Sequence, residues 1–118
     1  MIKNNCGLES RREESTLYLR LSGEMDHHSA GGMRGEADKL ICTERPERVV
    51  LDLSGIGFMD SSGLGFIMGR YALARELGAT LVVYNPSPAT QRILGLAGLG
   101  RIIPVEMPQK TKHERVKK

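Results

Sequence analysis

The chain has 118 residues, 40% of them hydrophobic and 26% charged, which is enough for one core and too little for a catalytic domain joined to a regulatory one. No apolar run approaches the roughly 20 residues that a membrane-spanning helix needs, so no membrane span is expected, and the polar start Met1-Ile2-Lys3-Asn4-Asn5 does not resemble a secretory signal. The net charge of +3 is concentrated at the end: five basic residues against Glu114 give the last nine positions +4 and leave the rest near −1, and with no Trp, three Tyr and two Phe, direct nucleic-acid binding is not expected.

Residues 7–12 read as a weak strand and 13–15 as a hairpin turn. Over 16–23, Leu17, Leu19 and Leu21 alternate with Tyr18, Arg20 and Ser22, the period of a half-buried strand. From 29 to 42 the apolar positions Ala30, Met33, Ala37, Leu40 and Ile41 recur at spacings of three and four, which predicts an amphipathic helix whose first turns are weakened by Gly31, Gly32 and Gly35. The run 49–53 predicts a central strand buried on both faces. A helix is expected to start at 60–62 and to end at Gly78, followed by a strand over 80–84 and a helix over 89–96. An edge strand over 101–105 closes the core. The predicted order is ββαβαβαβ, an α/β sheet with crossover helices in a single domain whose core spans about 7–105, and 106–118 form a polar basic tail.

The catalytic motifs of such sheets are missing. Gly55-Ile56-Gly57 leads to Asp60 instead of a third glycine, and neither a phosphate-binding P-loop nor a nucleophile elbow occurs. His27, His28 and His113 are the only histidines, so an enzyme is not expected, and neither is a cofactor or a metal. Cys6 and Cys42 stand far apart outside any metal-ligand pattern and are read as reduced thiols of a cytoplasmic protein.

The segment Phe58-Met59-Asp60-Ser61-Ser62-Gly63-Leu64-Gly65 places three capping-type residues and two glycines at one strand-to-helix junction, where one cap would suffice. In the simplest reading Asp60 or Ser61 caps the helix and the others merely lie at the surface. In the second, a serine at a helix start, on a loop at the carboxyl end of a parallel strand, is a phosphorylation site. Phosphate there adds about −1.5 to −2 charges, favoured by the helix N-terminus and repelled by Asp60. A second constellation, Gly23-Glu24-Met25-Asp26-His27-His28-Ser29, offers Asp26 or Ser29 as a cap, and its loop is expected beside the Asp60 loop as one acidic surface. The helix after Gly63 carries two apolar stripes, one with Leu64, Ile67, Met68 and Tyr71 and the other with Phe66, Leu73 and Leu77. Arg70 lies between them, placed either to snorkel over the core or to pair with a partner.

Residues 58–71, with Gly23 to Ala30 and the stretch from Ser87 to Leu94, resemble the anti-sigma factor antagonists of the STAS domain family, over about 17–105. The resemblance implies a mixed central sheet with helices mostly on one face. It also implies a cycle in which the unphosphorylated antagonist binds an anti-sigma factor that is also a serine kinase, releasing a sigma factor. The kinase then phosphorylates the antagonist on the serine after the aspartate, here Ser61, and a separate serine phosphatase restores it. Asp26, Asp60, Ser62, Gly63 and Arg70 are the implied partner-binding residues. The other reading is a non-catalytic nucleotide-sensing or scaffold module of a signalling assembly.

Overall fold

A computed structural model describes residues 6–108. The strands are β1 (Cys6–Glu13), β2 (Thr16–Met25), β3 (Arg48–Met59), β4 (Thr80–Tyr84) and β5 (Val105–Glu106). The helices are α1 (His27–Glu44), α2 (Ser61–Glu76) and α3 (Pro88–Leu96), and a short 3₁₀ turn runs over Leu99–Arg101. The strands lie in the sheet in chain order, β1-β2-β3-β4-β5; β1 and β2 form an antiparallel hairpin and the other neighbours are parallel. This is the mixed sheet expected from the sequence.

Each parallel connection moves one strand along in the same direction, so crossovers of the usual right hand place all three helices on one face. Burial agrees: one apolar cluster joins Leu17, Leu19, Leu21, Leu51 and Val83 of the strands to Met33 and Ile41 of α1, Phe66 and Ile67 of α2 and Leu94 of α3. Burying a Leu, Ile or Phe is worth about 1.5–3 kcal/mol, so these alternating positions fix which face turns inward. Val50 and Val82 are buried outside that cluster, so the double-sided burial expected of 49–53 is met at Val50 and not at Asp52, which is half-buried on the face without helices. The opposite face carries a shallow groove lined by Arg11, Tyr18, Arg20 and Asp52.

Three boundaries differ from the expectation. Helix α1 starts at His27, ahead of its glycines, because Asp26 caps it and Ala30, Met33, Ala37 and Ile41 anchor it in the core. Strand β3 continues to Met59 instead of stopping at 53, paired with β2 through two register shifts. The edge strand expected over 101–105 is reduced to Val105–Glu106, because the 3₁₀ turn uses Leu99–Arg101 and tucks Ile103 into the core. The 60–78 helix runs Ser61–Glu76, with Leu77 as its cap and Gly78 just beyond. Most of the tail, from residue 109 on, lies outside the described residues. Among the described residues, no helix is long and apolar enough to cross a membrane.

Candidate functional site

Strands β2 and β3 run in parallel and end together, with Met25 opposite Met59. Both methionine side chains are buried, so the chain leaving each strand turns at the same edge of the sheet into a helix. Asp26 caps the first helix, its Oδ1 accepting from the backbone N–H of His28 and of Ser29, both at 3.0 Å. Asp60 caps the second, its Oδ1 accepting from the N–H of Ser62 at 2.8 Å. The two turns are joined directly, since the N–H of Asp60 donates to the carbonyl of Met25 at 3.3 Å. The surface expected from two separate segments is thus one continuous carboxyl-end edge, where α/β sheets place their sites.

Ser61 is the first residue of α2 and is exposed. The N–H groups at a helix start have no partner within the helix, and the helix dipole favours an anion there. A phosphoryl group on Ser61 would therefore meet favourable backbone charge on one side and the Asp60 carboxylate on the other. The simplest reading of the cap is met by Asp60, which leaves the Ser61 hydroxyl outside the capping arrangement. Asp26 carries the one resolved carboxyl shift at this edge: the Ser29 N–H lowers its pKa most, aided by the Ser29 hydroxyl, the His28 N–H and the His28 charge, while partial desolvation acts against them.

The other predicted docking residues are less accessible. Ser62 is half-buried with its N–H committed to Asp60, and Asp26 and Asp60 are half-buried. Gly63 is buried against Met59: a Cβ at this position would lie 2.2 Å from Met59 Cγ and 2.7 Å from Sδ. Its lack of a side chain serves internal packing, whereas Gly65 is exposed. Arg70 does not reach the surface; it is 5% exposed, with Nε 2.7 Å from Asp38 Oδ1 of α1. Both apolar stripes of α2 pack against the core: Phe66 and Ile67 are buried, and Leu64, Met68, Tyr71, Leu73 and Leu77 are half-buried against it.

Two residues were not singled out from the sequence. Phe58, 50% exposed, lies opposite Glu24 at the end of the strands, and no periodicity marked it, because the register shifts of β3 against β2 break the alternation around it. Asp38 appeared only as one more charge on an amphipathic helix. His27 and His28 are exposed and stack edge to face at 5.9 Å, and among the described residues no group of three or more metal-binding side chains forms.

The chain belongs to the STAS domain family, whose model matches residues 8–113. Within it, the chain is 40% identical to the anti-sigma F factor antagonist of Paenibacillus polymyxa over 101 residues, 86% of each protein. The structure of the anti-sigma factor antagonist SpoIIAA in its unphosphorylated form matches with a TM-score of 0.73 at 26% identity over 94% of both chains. That of the Bacillus cell fate determinant SpoIIAA in the phosphorylated form matches with a TM-score of 0.67 at 26% identity, over 94% of this chain and 97% of the other.

Proposed function

We propose that this protein is an anti-sigma factor antagonist of the cytoplasm whose binding to an anti-sigma factor serine kinase is switched off by phosphorylation of Ser61. The observation that carries this reading is the placement of Ser61: exposed, first in α2, outside the cap made by Asp60, and on the edge shared with the Asp26 turn. A small hydroxyl there lets a partner approach the turn closely. A phosphate replaces it with a bulky group of about −1.5 to −2 charges beside two carboxylates, so the same surface becomes larger and more acidic. Docking and switching then share one residue, and a serine phosphatase acting on phospho-Ser61 resets the surface. The sequence similarity to an anti-sigma F factor antagonist and the existence of SpoIIAA in both phosphorylation states support this reading.

The test is incubation of the purified protein with its cognate anti-sigma factor kinase and ATP, with the phosphate located by mass spectrometry and complex formation followed in parallel. The expected result is modification of Ser61 alone, with loss of the complex. An unmodified protein beside a kinase active on a control substrate would overturn the proposal and favour the scaffold or nucleotide-sensing module, for which calorimetry with ATP and GTP is the direct measurement.

A further inference from the structure

Helices α1 and α2 pack against one another, and a charge sits at their contact. Arg70, the tenth residue of α2, has its guanidinium carbon 5.1 Å from the centre of the Phe66 ring and its Nε 2.7 Å from Asp38 Oδ1. Its Nε and Nη1 and the Asp38 Oδ1 are all buried atoms without an aligned hydrogen bond among the described residues, so the 2.7 Å contact is an ion pair held by charge and proximity. Burial lowers the Arg70 pKa, Asp38 acts against that, and Arg34 adds to the lowering. Such a pair is a poor source of stability. Arg70 loses its hydration while the Asp38 side chain stays 39% exposed, two guanidinium donors lack an aligned hydrogen bond, and apolar replacements of such buried charges are often neutral or stabilising.

What a buried charge supplies is discrimination. Ala37 of α1 and Ala74 of α2 are small buried residues of the same apolar cluster, and apolar contact by itself is non-directional. A buried guanidinium is selective, because Asp38 is the one of the three carboxylates of α1 that reaches it, Glu36 being exposed and Glu44 paired with Arg12. The level of α1 against α2 matters at their starts, since α1 begins at the Asp26 cap and α2 at the Asp60 cap, both on the edge that holds Ser61. Apart from the strand pairing, the backbone tie there is the 3.3 Å bond from Asp60 to Met25, long for its type.

We infer that the Arg70–Asp38 pair is a positioning device that sets the register of α1 against α2 and so holds the Asp26 and Ser61 turns level with each other. Its meaning for docking rests on the proposed role of Ser61; the register itself does not. Arg70 is thereby a positioning residue that acts from inside the domain and touches no partner.

The test compares the wild-type chain with the Arg70→Met/Asp38→Leu double variant. Three readouts are followed: thermal unfolding, hydrogen exchange of the cap amides of Ser29 and Ser62, and steady-state phosphorylation by the cognate anti-sigma factor kinase, checked as active on a control substrate. The double variant is expected to melt within about 4 °C of wild type, a small step for a domain of this size. Its cap amides should exchange about tenfold faster, and its KM as a kinase substrate should rise about tenfold with kcat changed less than about twofold. Arg70→Lys, which keeps a charge at that level, should recover most of the cap protection. Unchanged exchange and KM in the double variant would overturn the inference, as would a fall of more than about 10 °C in melting temperature, which would make the pair a stability element. A wild-type protein left unmodified by the kinase, together with the exchange difference, would sink the Ser61 reading and leave the positioning role standing.

Discussion

Adding one methyl group at Gly63 tests how the site is held up from beneath. A Cβ there would lie 2.2 Å from Cγ, 2.7 Å from Sδ and 3.0 Å from Cε of Met59, far inside contact distance. Cγ is near the root of the side chain, and Met59 is 2% exposed, so the methionine has no free space in which to swing away. Overpacking of this kind costs about 1–3 kcal/mol, and gaining an alanine in a helix returns less than about 1 kcal/mol of that. For a domain of this size the net loss corresponds to a fall of roughly 4–10 °C in melting temperature, measured by circular dichroism. The strain has a second address, because Met59 directly precedes Asp60 and Ser61. Gly63→Ala should therefore weaken kinase binding as well as stability. Met59→Ala alone leaves a cavity worth about 2–5 kcal/mol, but in the double variant the new methyl fills part of it, so the two losses should fall short of their sum by at least about 1 kcal/mol. A melting temperature for Gly63→Ala within about 1 °C of wild type, or strict additivity in the double variant, would refute the packing argument.

Asp60→Asn keeps the cap, since asparagine accepts the same N–H bond, and should leave stability unchanged within about 0.5 kcal/mol, whereas Asp60→Ala should cost about 1 kcal/mol by urea unfolding. On the proposed function, Ser61→Ala should bind the kinase in calorimetry and stay bound when ATP is added, while Ser61→Asp should bind poorly; normal binding by Ser61→Asp would count heavily against the switch. Asp26 has a pKa below the ordinary 3.8, so its contribution to stability is complete above the unfolded value and is lost as the pH falls through the folded one. Asp26→Asn should accordingly flatten the acid limb of the stability curve below about pH 4, and an unchanged limb in acid titrations followed by fluorescence of a bound dye would contradict the assignment.

The parts of the fold legible in the sequence are those governed by one dominant local signal. The alternation of Leu17, Leu19 and Leu21 marks β2, and Ser87 followed by Pro88 marks the start of α3, where Ser87 accepts from the N–H of Thr90 at 3.2 Å. Where tertiary packing decides, the sequence misleads. Gly31, Gly32 and Gly35 argue for a late or weak start of α1, yet the Asp26 cap and four core residues outweigh their propensity. Residues 54–59 lack a period of two because the β2 partner shifts register beside them, so a continuing strand looks like a loop. For the site, the caps and the serine were readable because capping chemistry is local. The inward placement of Gly63 and Arg70 was not, because it depends on Met59 and on a carboxylate 32 positions away, Asp38.

Strand β3 is longer than its neighbour on one side: β4 pairs only with Arg48–Asp52, so from residue 54 on β3 is paired along β2 alone. The stretch leading to the site is therefore an open strand edge inside the sheet order, a surface on which a foreign strand could grow. Its sequence discourages that. Gly55, Gly57 and the two register shifts break the regular spacing of donors and acceptors that templated pairing requires, and Gly55 sits so close to Leu21 that a Cβ would lie 2.9 Å from the Leu21 carbonyl oxygen. Irregularity at this edge thus doubles as protection against aggregation, and smoothing it with β-branched residues would make a flatter strand and a stickier protein.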